Sequence, residues 1–134
     1  MTADTSAVVA ALSAWHEQHE EAARALADVR ALPAHVVVEA YAVLTRLPAG
    51  LAVAPNAAAG VLRRRFDERP LRLGGADRVR LVERLAESGV SGGASYDGLV
   101  GLEAGAHRQV LLTLDERAVA TYRRLGVEFD VIGA

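Results

Sequence analysis

The chain contains neither cysteine nor lysine, and each absence excludes a class of site. Without cysteine there is no disulfide, no thiolate zinc site and no thiol nucleophile. Because all 15 basic residues are arginine, a P-loop lysine and a Schiff-base lysine are excluded as well. Aromatic residues make up only 4% of the chain, which is too few for a base-stacking platform. The formal net charge of −2 provides no general basic field for nucleic acid.

The 134 residues have the size and composition of one ordinary globular domain, with 51% hydrophobic and 24% charged residues. The apolar runs are far shorter than the roughly 20 residues that a transmembrane helix requires. Asp4 stands where a secretion signal would carry positive charge. We therefore expect a single cytoplasmic domain spanning residues 1–134, with no membrane association.

Short β-like runs alternate with segments of helical periodicity along the chain. The predicted strands are Thr2–Asp4, Val110–Leu114 and Val127–Ile132, with Leu71–Leu73 as a brief strand or connector. The predicted helices are Ala7–Trp15, Glu17–Val29, Ala34–Leu47, Pro55–Phe66, Asp77–Ser88, Ser95–Ala106 and Glu116–Leu125. Strands separated by helices imply parallel β-α-β units. The pattern predicts an α/β fold, a three-layer α/β/α sandwich with a short, mostly parallel central sheet.

Two acids follow predicted strands. Asp4 ends the first strand, and Asp115 comes directly after Val110–Leu114. Ligands of open parallel sheets bind beyond the carboxyl ends of the strands, so this position favours a functional site. The alternative is that each acid is a turn or helix N-cap carboxylate, which is the more common role for a single such residue.

Glu39 lies in a predicted helix, at the flank of its apolar stripe and on the same side as His35 and Arg46. A side chain at the flank can reach a cleft at the edge of the core. The alternative is a solvated glutamate paired with His35 or Arg46, worth a few tenths of a kcal/mol. The spacing by itself favours that alternative.

Asp97 opens a predicted helix whose face carries the small residues Gly101 and Ala104. Small residues allow a helix to approach its neighbour closely, which would bring the carboxylate towards the sheet. A first-turn aspartate is also favoured by the helix dipole, and the two interpretations are compatible. Carboxylates that cluster raise one another's pKa unless a cation is bound. Oxygen ligands suit Mg²⁺ or Mn²⁺.

Four segments together resemble the motifs of PIN-domain proteins, in the same order and at similar spacing. They are Thr2-Ala3-Asp4-Thr5-Ser6-Ala7, Val38-Glu39-Ala40, Tyr96-Asp97-Gly98-Leu99 and Leu112-Thr113-Leu114-Asp115. The resemblance covers essentially the whole chain, and the chain length is similar to that of VapC-type toxins of type II toxin–antitoxin pairs. Gly98 and Gly101 depart from the pattern, because better helix formers are expected there.

The resemblance implies a metal-dependent endoribonuclease with a tRNA or rRNA substrate, a small antitoxin partner and a homodimeric state. It implies that Asp4, Asp97 and Asp115 bind Mg²⁺ or Mn²⁺, while Glu39 positions the metal or the attacking water. Thr5 or Ser6 would orient Asp4 or contact a phosphate. The alternative is a non-catalytic PIN-like binding module, and the presence of all four acids argues against it.

The densest basic stretch contains Arg63, Arg64, Arg65, Arg69 and Arg72. Arginine suits bidentate phosphate contacts, so this stretch is a candidate RNA-binding surface. The equally weighted alternative is a charged helix face that Asp67 and Glu68 offset.

His16 and His19 lack the spacing of a zinc-protease helix, so surface or partly buried histidines are the simpler interpretation.

Overall fold

The structure is a computed structural model that describes residues 1–134. Three strands form one parallel sheet in the order β1 (Thr2–Ala3), β2 (Leu111–Thr113) and β3 (Phe129–Val131). In the register, Leu111 faces Thr2 on one side and Phe129 on the other. Parallel neighbours require long crossover connections, and here helices supply them. The α/β fold with a short parallel sheet, predicted from the sequence, is confirmed.

Eight helices surround the sheet. They are α1 (Thr5–Leu12), α2 (His19–Ala25), α3 (Ala34–Thr45), α4 (Pro55–Arg65), α5 (Gly75–Val79), α6 (Leu81–Glu87), α7 (Ala94–Ala106) and α8 (Glu116–Arg124). The first crossover, from β1 to β2, contains α1 to α7, and the second contains α8 alone. No helix is both long and apolar enough to cross a membrane.

Several predicted boundaries were wrong. The helix predicted over Asp77–Ser88 is two helices, α5 and α6, that meet at Arg80. Because α5 buries none of its residues, no packing holds it in line with α6. Helix α2 is shorter than its predicted span of Glu17–Val29. Leu71 forms an isolated parallel bridge with Pro33 in place of a strand.

One hydrophobic cluster of 21 buried residues joins the sheet to the helices around it. Among its fully buried side chains, Tyr122, Leu26, Leu32 and Leu111 are the largest. Burying a large apolar side chain contributes about 1.5–3 kcal/mol, so this cluster dominates the stabilisation. It fixes the carboxyl ends of β1 and β2 relative to α1, α3, α7 and α8, which carry or adjoin the four predicted site acids.

Candidate active site

Asp4 lies where β1 passes directly into α1. Its backbone N–H donates to the carbonyl of Leu112 at 3.0 Å, so it continues the sheet ladder. Its carboxylate then caps α1 by accepting from the Ala7 N–H at 3.2 Å. Asp4 is therefore both a strand-end acid and a helix N-cap, which joins the two interpretations of the sequence. Because the cap begins the helix at Thr5, α1 starts earlier than predicted.

Asp4 is 5% exposed, and both of its carboxylate oxygens are occupied by donors. The Ser6 hydroxyl donates to Oδ1 at 2.5 Å, and the Tyr122 hydroxyl donates to Oδ2 at 2.8 Å. Burial raises the pKa of Asp4, and the hydrogen bonds from Ser6, Thr113, Tyr122 and Ala7 oppose that rise. These donors fix the carboxylate in one orientation.

Asp115 follows β2 and caps α8, accepting from the Arg117 N–H at 2.9 Å. Its own N–H donates to the Thr113 hydroxyl at 3.0 Å. The Arg117 guanidinium lies 3.8 Å from Asp115 Oδ1, but its side chain is 96% exposed. Water screens an ion pair of this kind, so Arg117 neutralises little of the local negative charge.

Glu39 extends from α3 towards α1, where the Thr5 hydroxyl donates to its Oε1. On the other side, His35 Nε2 lies 3.3 Å from Glu39 Oε2. The pairing with His35, the alternative given for this residue, is therefore present. Glu39 nevertheless also contacts the residue that follows Asp4, so its flank position does reach the edge of the core.

Asp97 lies in the first turn of α7, and the two departing glycines explain how that helix is placed. A Cβ added at Gly98 would lie 2.5 Å from Leu85 Cδ2, and one at Gly101 would lie 3.1 Å from Val127 Cγ2. Both glycines are buried. Side chains at these two positions would hold α7 away from its neighbours, so the glycines allow Asp97 to approach the other acids.

Asp97 lies in the electrostatic field of the other three predicted acids, although the four are far apart in the sequence. Burial is the largest cause of a rise in the pKa of Asp97 to about 6, and the negative charges of Asp115, Asp4 and Glu39 contribute to that rise in that order. Arg117 opposes the rise. Because the three negative charges outweigh Arg117, the carboxylates near Asp97 are not balanced by that cation.

The donor chemistry of this cluster fits a hydrated divalent ion. No three His, Asp or Glu side chains come close enough to hold a metal ion by themselves. Neither Asp4 nor Asp97 takes part in any of the ion pairs of the structure. Mg²⁺ commonly keeps several waters and binds through one or two carboxylates together with substrate phosphates. An oxygen-only set with unbalanced charge is suited to that mode of binding.

Two predicted hydroxyls have separate partners. Ser6 orients Asp4, as one interpretation of the sequence proposed, and it also accepts from the Leu114 N–H at 2.9 Å. Thr5 contacts Glu39 instead of Asp4. Sequence reasoning missed Thr113 and Tyr122, which complete this network. Ala118, Val119 and Tyr122 are buried on α8, and their helical spacing is visible in the sequence. That spacing does not show which group the Tyr122 hydroxyl contacts.

Comparison with known proteins decides the family. Residues 1–124 match the PIN domain. The chain belongs to the PIN-domain family. It is 46% identical over 129 residues to Ribonuclease VapC40 of Mycobacterium tuberculosis, covering 96% of both chains. It is 41% identical over 132 residues to Ribonuclease VapC27 of the same organism, covering 98% of this chain and 96% of the relative. The resemblance to VapC-type PIN domains, based on four short motifs, is confirmed.

The basic stretch of this PIN domain is divided between structural and exposed arginines. Arg65 donates to the backbone carbonyls of Val29 and Leu26, so it fastens α4 to the end of α2. Arg63, Arg69 and Arg72 line a groove of about 770 Å³ beside α3 and α4. The three consecutive arginines therefore do not form one uniform surface.

The alternative interpretation was that Asp67 and Glu68 offset this stretch, and both acids line the same groove but pair with Arg30. Arg30 Nη2 lies 2.8 Å from Asp67, and its Nη1 lies 3.5 Å from Glu68. The arginines that line the groove form no ion pair.

His16 and His19 interact with backbone groups. His16 Nδ1 accepts from the Gln18 N–H at 3.1 Å, and His19 Nδ1 lies 2.9 Å from the Ala10 carbonyl. Both are partly buried, as the simpler interpretation held.

Proposed function

We propose that this PIN domain is a cytoplasmic, divalent-metal-dependent endoribonuclease that acts as the toxin of a type II toxin–antitoxin pair. The observation that carries the proposal is the position of Asp97 in the field of Asp115, Asp4 and Glu39, at the carboxyl edge of a parallel sheet. The relatives Ribonuclease VapC40 and Ribonuclease VapC27 support it by their names.

Asp4, Asp97 and Asp115 would hold Mg²⁺ or Mn²⁺, and Glu39 would position the ion or the attacking water. When bound, the ion supplies water activation and neutralises phosphate charge. The chain's own contribution is orientation. Ser6 and Tyr122 hold the carboxylate of Asp4 in place, and Thr5 holds that of Glu39. Fixed ligands reduce the rearrangement that a metal site requires on binding.

The alternative is a non-catalytic PIN-like binding module. A domain that has lost catalysis is free to lose its acids, yet all four are present in this chain. We therefore favour the nuclease.

Cleavage of total bacterial RNA by the partner-free protein tests the proposal. The assay is run with Mg²⁺, with Mn²⁺ and with chelator, for the wild type, Asp4→Asn and Asp97→Asn. Asp28→Asn is the matched control, because Asp28 is an exposed acid outside the cluster and outside the groove that the arginines line. We expect discrete, metal-dependent cuts for the wild type and the control, and none for the two site variants.

Cuts that survive in both site variants would contradict the assignment of the acids. A folded wild type that neither cleaves RNA nor binds Mn²⁺ would favour the binding module.

We further propose that the antitoxin docks an acidic amphipathic segment in the groove beside α3 and α4. Its apolar lining includes Val37, Tyr41 and Phe66. Arg63, Arg69 and Arg72 line the same groove without a carboxylate partner, and its two acids, Asp67 and Glu68, pair with Arg30. The groove therefore keeps an excess of positive charge that attracts negative groups. A segment with an apolar face and flanking acids complements both features.

The docking proposal is tested with a small candidate antitoxin that is co-expressed with this chain and inhibits its cleavage of RNA. We expect Arg69→Glu to weaken inhibition by the antitoxin while metal-dependent cleavage continues. Arg24→Glu is the control, because Arg24 is exposed on α2 and does not line the groove. Loss of cleavage in Arg69→Glu, with normal antitoxin binding, would instead assign the groove to RNA. The homodimer that the resemblance implies stays a prediction, which sedimentation equilibrium would check.

A further inference from the structure

Glu103 is a buried acid that has no place in the proposed chemistry. It lies on α7, the helix that carries Asp97, and it is 1% exposed. It forms no ion pair, and its hydrogen-bond partner is the backbone N–H of His35, which donates to Oε1 at 3.0 Å. Burying a carboxylate without a cation is costly, so its single contact requires an explanation.

That contact caps the start of α3 from another helix. The N-cap residue of α3 is Pro33, which has no side-chain acceptor. The Ala34 N–H donates to the Leu71 carbonyl at 2.8 Å, and the Val36 N–H donates to the Pro33 carbonyl at 2.9 Å. The His35 N–H would be left without a partner if Glu103 were absent. A carboxylate at this end of a helix is also favoured by the helix dipole.

The side chain of His35 forms a second link between the same two helices. Its ring stacks on Tyr96 of α7, with centroids 5.5 Å apart and an interplanar angle of 14°. Its Nε2 lies 3.3 Å from Glu39 Oε2. Tyr96 directly precedes Asp97 in the chain. His35 therefore contacts α7 through its backbone and its ring, and it holds Glu39 through its imidazole.

We propose that Glu103 is a positioning residue that fixes Glu39 of α3 relative to Asp97 of α7. The link runs from Glu103 to the backbone of His35, and from the His35 ring to Tyr96 and Glu39. The inference rests on the proposed function, because the relative position of Glu39 and Asp97 matters when both serve one site. A misplacement of about 1 Å in such a site can cost up to a hundredfold in rate.

Two substitutions at Glu103 distinguish the effect of losing the hydrogen-bond acceptor from the effect of changing the side-chain volume. Glu103→Gln keeps a carbonyl acceptor for the His35 N–H, while Glu103→Leu has similar bulk but no acceptor. We expect Glu103→Leu to weaken Mn²⁺ binding about tenfold, measured by titration calorimetry on RNA-free protein. We expect kcat for RNA cleavage to fall about tenfold with KM unchanged, and Glu103→Gln to restore both. Hydrogen exchange at the His35 amide is expected to rise in Glu103→Leu alone.

Tyr96→Ala tests the same link without risk to the core, because Tyr96 is 59% exposed. It is expected to lower Mn²⁺ affinity, as Glu103→Leu does, but by a smaller factor. Leu26→Ala is the stability control, because it truncates a buried core side chain that lies on neither α3 nor α7. It is expected to lower stability while the folded protein keeps wild-type Mn²⁺ affinity.

A folded Glu103→Leu protein that exchanges faster at His35, yet binds Mn²⁺ and cleaves RNA as the wild type does, would overturn the inference. If Glu103→Leu does not fold, wild-type Mn²⁺ affinity in Tyr96→Ala would overturn the inference. Asp97→Asn is measured in the same assays. Normal metal binding and cleavage in that variant would reject the proposed site, whereas a folded wild type that neither binds Mn²⁺ nor cleaves RNA would reject the proposed function. Both results differ from the failure of the inference about Glu103.

Discussion

The Tyr122 hydroxyl donates a 2.8 Å hydrogen bond to Asp4 Oδ2 and so joins α8 to the end of β1 inside the core. Tyr122 is fully buried. Burial and the adjacent charge of Asp4 both raise the pKa of Tyr122 well above its ordinary value. The phenol therefore stays protonated and remains a donor to Asp4.

Tyr122→Phe is expected to reduce both stability and metal-dependent activity. Removing the donor leaves a buried carboxylate oxygen without its partner, which costs about 1–3 kcal/mol in the free energy of unfolding. The loss of orientation at Asp4 is expected to lower cleavage about 10–100-fold. Urea unfolding and RNA cleavage measure the two effects. Unchanged cleavage in a destabilised Tyr122→Phe protein would show that the bond supports the core alone.

Asp97 is expected to make the metal-free protein less stable as the pH rises from about 4 to about 6. Its pKa is raised to about 6 in the folded state, so over this window the folded chain keeps a proton that the unfolded chain has released. The stability that this proton contributes is present below the window and is lost above it. Because Asp97 is half-buried, solvent screening limits the change in the free energy of unfolding across this window to roughly 1–2 kcal/mol.

Asp97→Asn removes this titration. Without metal at pH 7, the variant is expected to be as stable as the wild type or more stable, because repulsion from Asp115, Asp4 and Glu39 is relieved. Urea unfolding between pH 4 and pH 8, with chelator present, measures the difference. A variant that loses stability at pH 7 and keeps the wild-type pH profile would contradict a shared acidic site.

Gly98→Ala is expected to destabilise the protein by about 1–3 kcal/mol, because the added methyl group would lie 2.5 Å from Leu85 Cδ2. Gly105→Ala in the same helix is the matched control, since a Cβ there meets nothing within 4 Å. Alanine is the better helix former, so this control is expected to gain about 0.5–1 kcal/mol. Thermal unfolding of both variants tests the pair. Equal effects would show that close packing at Gly98 does not set the position of α7.

Mn²⁺ is expected to raise the unfolding temperature of the wild type. A ligand at 100 times its Kd stabilises the folded state by about 2.7 kcal/mol. Asp4→Asn is expected to lose most of this shift, because it removes a charged ligand. Asp67→Asn, whose acid pairs with the exposed Arg30, is expected to keep it. A thermal melt with and without Mn²⁺ checks the prediction, and an equal shift in all three proteins would place the metal elsewhere.

The sequence predicted the fold class and the order of most elements from local patterns. Val110–Leu114 is a continuous apolar run typical of a buried parallel strand, and it contains β2. The predicted start and end of α4 agree with the structure to within one residue, because Pro55 marks its first turn. Periodicity carried no information on the break at Arg80, where the absence of packing against α5 decides the outcome.

The candidate acids could be named from the sequence because strand ends and helix starts are local features. Asp4 and Asp115 each follow a strand and cap a helix, and both features are visible in adjacent residues. The sequence could not pair Ser6 with Asp4 and Thr5 with Glu39, since a choice between neighbouring hydroxyls depends on which side of α1 faces α3. It also treated Gly98 as a weakness of α7, whereas a Cβ at that position would lie 2.5 Å from Leu85 Cδ2.

By itself, the sequence determined the family, the alternation of strands and helices and the four acids, because each depends on residue type and near neighbours. The tertiary structure alone decided that Tyr122 holds Asp4, that Glu103 caps α3 and that the four acids share one electrostatic field. Glu103 and His35 are 68 positions apart in the sequence, and Tyr122 and Asp4 are 118 positions apart. Such partners are set by how helices pack on the sheet, and no local pattern encodes that packing.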